Sequence, residues 1–317
     1  MHPEDRVIKT MHRARESSLE NIVPPAVRLR LKVCLDITVY WTGSVFQHGA
    51  GVLDFYRQSM ELLGKHIKHY ETETMGGACP VDADSLHLLP FWIEGTKARR
   101  SIYALFLESA SEPNVPSTRA FSFRAWEARE VPVGMMRLVL PTDFFGKEPV
   151  AFVDLTKRLV RKLLFESGHA GYALNHYERG PFEHDALEAM YVLSRKYPGL
   201  DIPSPTSTLF VISEGLKRVN WLTLLGSSLS DRLGGVVKLK NEMGEEIDVY
   251  ALDHGVLIQA GPEPEIGDVN RRGWLPFYHH VGRVLAPIRA KNHPGFFMHG
   301  MDFDEEATEE WLARFDS

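Results

Sequence analysis

"VRLRLKVCLDITVYW", residues 27–41, alternates without interruption. Val27, Leu29, Leu31, Val33, Leu35, Ile37, Val39 and Trp41 fall on one face, and Arg28, Arg30, Lys32 and Asp36 on the other. A period of two with β-branched residues predicts a long, half-buried strand. The stretches around it fix the class. A helix is expected over about 50–64, with Val52, Leu53, Tyr56, Met60 and Leu63 on its buried stripe. "KHYETETM" reads as a short strand and "GGACPVDAD" as a loop. "SIYALFLESA", "TRAFSFRAW" and "VGMMRLVLP" follow as successive strands. A helix at 150–166 turns Phe152, Leu155, Leu159, Val160 and Leu163 inward. "AGYALNHY" returns as a strand, and "PFEHDALEAMYVLSRKY" as a helix with Pro181 near its first turn. The expected fold is α+β: a largely antiparallel sheet covered by helices, a pattern that admits a duplicated split β-α-β unit.

Residues 1–26 read as a basic N-terminal arm and 27–196 as an α+β half with a strand meander. The Pro-rich connection 197–208, "YPGLDIPSPTST", is the best internal boundary. Residues 209–317 read as a second α+β half, packed with the first as one globular body. Within it "VNWLTLLG" and "LSDRLGG" bracket short elements, with Gly234-Gly235 as a helix stop and Ser230 as a helix cap. "IDVYALDHGVLIQAG" is a hairpin turning near Asp253-His254-Gly255. "LPFYHHVGRVLAPIRA" is a helix, and "DEEATEEWLARFD" a closing helix with its acids in the first turn.

The chain of 317 residues carries a net charge of −6, unevenly placed. From Gly300 onward there are seven acids and one base, so the rest of the chain sums to zero. Residues 1–32 hold seven bases against four acids. This is not the footprint of a nucleic-acid binder. No apolar run approaches the roughly 18 residues that a membrane span needs. The two cysteines, Cys34 and Cys79, form no disulfide framework, which suits a reducing cytoplasm.

A search for chemistry yields no catalytic, cofactor-binding or metal-ligating set. The densest histidine group is His169, His176, Glu178, Glu183, His184 and Asp185, and its spacing matches no ligand pair that shares a helix face. His279 and His280 are adjacent on a helix and point apart. No serine sits in a nucleophile elbow. Nothing near Cys79 in sequence would lower its pKa. "GAGVLD" (49–54) has Asp54 where a dinucleotide fingerprint needs its third glycine. Trp41, Trp221, Trp274 and Trp311 have core-like neighbours, and Phe121, Phe123 and Trp126 read as packing rather than as a stacking platform for bases. The loop "GVLIQAGPEPEIGDVNRR" (255–272) looks like a site. Each of its residues also has a structural role: turns at Gly261-Pro262 and Gly267, side-chain bonds to backbone from Asp268 and Asn270, and an ion pair from Arg271 or Arg272 to Asp268 or Glu265.

"LDITVYW" (35–41), "VNWLTLLG" (219–226), "RLGG" (232–235), "IQAGPEPEIGDVNRR" (258–272) and "LPFYHHVGRVLAPIR" (275–289) together resemble the type VI secretion immunity family, first catalogued as a domain of unknown function. The resemblance covers roughly residues 27–297. It implies a cytoplasmic antidote that binds and neutralises a cognate type VI effector toxin. TsiT-like members face a toxin with a restriction-endonuclease-like nuclease domain. The resemblance supplies no catalytic residues and no cofactor. Nuclease toxins carry basic grooves, so acidic surface on an antidote gives steered association. On that logic Asp302, Asp304, Glu305 and Glu306 are the first toxin-binding candidates, and Glu263 and Glu265 the second. Two rival readings are a metal-dependent hydrolase using the His169–Asp185 cluster and a small-anion-binding module gripping through Arg271 and Arg272.

Overall fold

A computed structural model describes residues 19–95, 100–113, 115–144, 146, 148–177, 184–271, 275–296 and 304–317, with His184 and Asp185 described in backbone only. Ten strands run in chain order: β1 Leu31–Thr42, β2 His69–Thr72, β3 Cys79–Pro80, β4 Ile102–Glu108, β5 Ala120–Trp126, β6 Val133–Leu140, β7 Ser167–His176, β8 Leu222–Gly226, β9 Asp248–Leu252 and β10 Gly255–Gln259. Between them lie helices α1 Gly49–Leu63, α2 Leu88–Glu94, α3 Pro149–Val160, α4 His184–Lys196, α5 Pro205–Thr208, α6 Ser227–Arg232, α7 Gly235–Met243, α8 Pro276–Leu285 and α9 Glu305–Leu312. The strands form one sheet in the order β3-β2-β4-β5-β6-β1-β7-β8-β10-β9, and neighbouring strands pair antiparallel. The α+β class is as expected, and the sheet passes without a break across the 197–208 connection.

Antiparallel alternation makes β6 and β7 parallel to each other with β1 between them, joined through α3. It does the same for β8 and β9 with β10 between them, joined through α6 and α7. The split β-α-β unit therefore occurs twice. The second copy lies in the C-terminal half rather than within the first 195 residues.

The opening stretch differs from its expectation in two ways. β1 starts at Leu31, because Leu31 pairs with His176, the last residue of β7, and nothing upstream has a partner strand. Val27 closes a short 3-10 turn after Pro24 and Pro25, and Leu29 is 76% exposed. From Leu31 onward the strand is buried on both faces rather than one. Val33, Leu35, Ile37, Val39 and Trp41 are covered, and so are Cys34, Asp36, Thr38 and Tyr40. Helices α1 and α3 cover one face, and the 197–220 connection covers the other, where Tyr40 packs with Leu209 and Ile212.

On the first face α1 lays Phe55 and Tyr56 against Phe121, at 6.4 and 5.2 Å between ring centres. Phe152 of α3 stacks on Trp221 at 5.9 Å. Each such ring removes enough apolar surface from water to contribute about 1.5–3 kcal/mol. Phe121 and Phe123 are thus core, as their pattern suggests. Trp41 stacks on Phe123 at 6.3 Å and lies over Gly134, its partner in register. A Cβ at Gly134 would stand 2.1 Å from the indole, so only glycine lets that ring lie flat on the sheet. Trp221 and Trp311 are buried as well, and Trp274 lies outside the described residues. α3 ends at Val160, earlier than expected, because the chain must turn for Glu166 N–H to reach Tyr40 O (2.8 Å) beside β7. Ser230 is not a cap. It sits inside α6, and its hydroxyl donates to Ser227 O at 3.0 Å, since the helix already begins at Ser227.

Candidate functional site

The second face of β1 carries Asp36 and Thr38 into the interior, where each needs a partner. Register supplies them. Thr38 lies opposite Arg137 of β6 on one side and opposite His169 of β7 on the other. The Arg137 guanidinium pairs with Asp36, whose second oxygen accepts from the Thr38 hydroxyl at 2.5 Å. Arg137 also donates to Asn175 Oδ1 at 2.9 Å, and the Asn175 amide donates to Ser117 O at 2.7 Å. Burial opposes ionisation of Asp36, but Arg137 and the bond from Thr38 hold its carboxyl below the usual range.

Asp201 joins this network from the Pro-rich connection. β8 pairs with β7 only over residues 167–170, and Asp201 fills the vacant edge beyond. It forms a single parallel bridge to Ala173, with Asp201 N–H donating to Tyr172 O and Leu174 N–H to Asp201 O, both at 2.8 Å. Its fully buried carboxylate meets His169 Nε2 at 2.7 Å, Lys217 Nζ at 3.7 Å and the guanidinium of Arg218. Lys217 donates to Ile202 O at 3.0 Å, and Arg218 lies over the Trp311 ring at 4.8 Å. Burial, then the charges of Arg218 and Lys217, push His169 far below the ordinary histidine range, so it stays neutral.

Asp36, His169 and Asp201 bring three ligand atoms within 4.8 Å of one another, which by count alone would suit a metal ion. Their charges do not suit one. Two carboxylates already face three fixed cations, Arg137, Lys217 and Arg218. A divalent ion would enter a fully buried cluster that already has an excess of positive charge. The set is an internal ion network that fastens the 197–220 connection to the centre of the sheet.

Beside it lies a cavity of about 20 Å³ bordered by Glu71, Glu108, Ser122, Arg137 and His176. That volume is enough for an ordered water molecule. The Tyr177 hydroxyl donates to Glu71 at 2.6 Å. Burial, reinforced by Arg137, pushes His176 down to about 3.

The expected candidates fall in different places. Of the His169–Asp185 group, His169 turns to Asp201 and His176 borders the small cavity, while Glu178, Glu183 and the side chains of His184 and Asp185 lie outside the described residues. Cys34 is buried, with burial pushing its thiol up, and Cys79 is exposed. His279 and His280 diverge, their ring nitrogens meeting Ser317 O at 3.0 Å and Glu242 O at 2.8 Å. Asp54 closes an ion pair with Lys162 at 2.7 Å.

The loop after β10 mostly holds itself. Trp221 Nε1–H and the Gln259 amide both donate to Gly261 O, at 2.9 and 3.0 Å. Gly261 has φ +88°, and a Cβ there would stand 2.7 Å from Phe277. Glu265 N–H donates to the Tyr278 hydroxyl at 3.2 Å, Gly199 N–H to Ile266 O at 2.8 Å, and Asn270 N–H to Asp268 Oδ1 at 3.0 Å. Arg271 approaches Asp268 at 3.6 Å from an exposed position, and Arg272 lies outside the described residues.

At the acidic end, Asp304 caps α9, accepting from Ala307 N–H at 2.8 Å. Asp302 lies outside the described residues. Glu309 pairs with Arg289 at 2.9 Å, Asp316 with Arg289 at 2.7 Å, and Glu310 with Arg195 at 3.3 Å. Arg289 thus ties Glu309 of the helix and Asp316 beyond it to the body, and the Glu310 pair is exposed. Asp304, Glu305 and Glu306 face solvent, as does Glu265, while Glu263 is half-buried. Sequence reasoning missed Asp36, Arg137, Asp201, Lys217 and Arg218. The available signal was a carboxylate in the middle of an apolar strand.

Residues 57–315 match the family model described as TsiV, type VI immunity for VRR-NUC. The match thus starts later than the motif resemblance and runs through α9. No curated protein matches the sequence. Among solved structures, the Pseudomonas aeruginosa T6SS protein PA0821 is similar, with a TM-score of 0.76 and 20% identity over 91% of this chain and 85% of that one. At that identity the likeness establishes a shared fold.

Proposed function

This chain belongs to the TsiV family, type VI immunity for VRR-NUC, and from that premise we propose that it neutralises its nuclease effector by stoichiometric, non-catalytic binding in the cytoplasm. The observation that carries the reading is the family match over most of the chain. The chemistry of the interior supports it. The polar cluster at the centre of the sheet is buried and neutralised by its own cations, and the cavity beside it is small. No helix among the described residues is long and apolar enough to cross a membrane.

A nuclease has to present positive surface to phosphate, so acids displayed on the antidote accelerate encounter and set its salt dependence. Asp304, Glu305 and Glu306 at the start of α9, together with Asp302, are the first contact surface in this proposal. Glu263 and Glu265 are the second. Titrating the purified chain into the VRR-NUC protein encoded by the neighbouring gene, with cleavage of a DNA duplex as the readout, tests it. Inhibition complete at one equivalent is expected. Inhibition at a small fraction of an equivalent would point to an enzyme, and none at a tenfold excess would sink the reading.

A further inference from the structure

The sheet is open, and its two ends differ. One end is β3, two residues long and closed by Pro80, which has no N–H to offer. The other is β9, whose single ladder runs to β10. The β9–β10 hairpin turns through Asp253 and His254, so Leu252 and Gly255 close it as a pair that exchanges both hydrogen bonds. Alternation makes Tyr250–Leu257 and Asp248–Gln259 the next bonded pairs. Val249 and Ala251 therefore turn their N–H and C=O groups away from the sheet. No backbone group among the described residues meets them there.

The surroundings of this edge are acidic. Residues 241–254 contain Glu242, Glu245, Glu246, Asp248 and Asp253 and no lysine or arginine, and all five acids are exposed. The nearest cations belong to other segments. Lys157 of α3 sits over the Tyr250 ring at 3.4 Å, and Lys238 reaches Glu242 at 3.5 Å. An open edge can take a second copy of the same strand or a strand of another protein. A second copy would set these acids against themselves. A basic segment would meet both the main-chain groups and the charge. We propose that the β9 edge receives an extended, lysine- or arginine-bearing segment of the VRR-NUC effector as an added strand, with Val249 and Ala251 supplying the main-chain hydrogen bonds. This proposal rests on the immunity reading above and adds a main-chain contact to the acidic surfaces it names.

The test uses the full chain and a purified, catalytically inactivated VRR-NUC domain encoded beside it. Ala251→Pro removes one outward N–H that no ladder bond uses, a change that an edge strand tolerates. Glu245→Lys with Glu246→Lys reverses the charge and leaves the backbone alone. Amide hydrogen exchange at Val249 and Ala251 reads the edge without any substitution. Expected are at least a tenfold loss of affinity for Ala251→Pro at unchanged melting temperature, a slower and less salt-sensitive association for the charge reversal, and slowed exchange of both amides in the complex. If the wild type binds while both amides exchange as fast as in the free chain, the edge proposal is overturned and the immunity reading stands. If the wild type fails to bind the domain, both fall. Self-association of the wild type that Ala251→Pro abolishes would overturn the choice of occupant.

Discussion

Replacing Asp201 with Asn changes one charge and almost no volume. Its main-chain bonds to Tyr172 and Leu174 do not involve the side chain and should persist. What is lost is the counter-charge for Arg218 and Lys217, 0% and 1% exposed at the side chain, and the strong acceptor for His169 Nε2. Removing one member of a buried ion pair typically costs about 3–5 kcal/mol, because the remaining charge keeps its desolvation penalty. A chain of 317 residues unfolds with an entropy of about 0.7 kcal/mol per kelvin, so that cost corresponds to a melting temperature lowered by about 4–8 °C. Urea unfolding followed by tryptophan fluorescence should show the midpoint falling while the slope is kept. In the double variant Asp201→Asn/Arg218→Met, part of the loss should return, since one of the two orphaned cations is gone. A loss below about 1 kcal/mol for Asp201→Asn, or no recovery in the double variant, would refute the view that this network fastens the connection to the sheet.

The remaining expectations are narrower. His176 and His293 are held near 3, chiefly by burial, whereas unfolded histidines take up protons below about 6.5. The unfolded state thus binds more protons in this window, and stability should decline as pH falls from about 6.5 toward 3. Denaturation midpoints at several pH values check this, and His176→Gln should flatten the slope; a midpoint constant from pH 7.5 to 4.5 would contradict it. Gly134→Ala drives a methyl into the Trp41 indole and should cost about 1–3 kcal/mol, measured by thermal melting. Zinc or manganese at millimolar concentration should leave the melting temperature unchanged, because Arg137, Lys217 and Arg218 already serve the carboxylates of the Asp36–His169–Asp201 cluster. Glu305→Lys with Glu306→Lys should slow association with the effector at low salt and have little effect at high salt; an unchanged rate at low salt would remove α9 from the contact surface.

Most strands and helices were legible because alternation and helical spacing survive wherever an element has one apolar stripe, as in α1, α3 and β10. β1 reads as half-buried because Asp36 and Lys32 share the face opposite its apolar one, and a local pattern cannot show that the distant 197–220 connection covers that second face. The ion network was not legible. Its members come from residues 36, 137, 169, 201, 217 and 218, and only register and the Asp201 bridge to Ala173 bring them together. The Pro-rich connection shows the same limit. Composition marks it as a boundary, but its central Asp201 is fully buried and bonded into β7. The acids of the closing helix were visible in sequence. Their division into those paired with arginine, Glu309, Glu310 and Asp316, and Glu305 and Glu306 at the exposed start of the helix needed the structure.

The most direct test of the account is co-expression of this chain with the neighbouring VRR-NUC protein in a sensitive strain, followed by co-purification. Survival together with a one-to-one complex is the expected result. A neighbour that kills despite the chain, or a chain that protects without binding, would contradict neutralisation by stoichiometric capture.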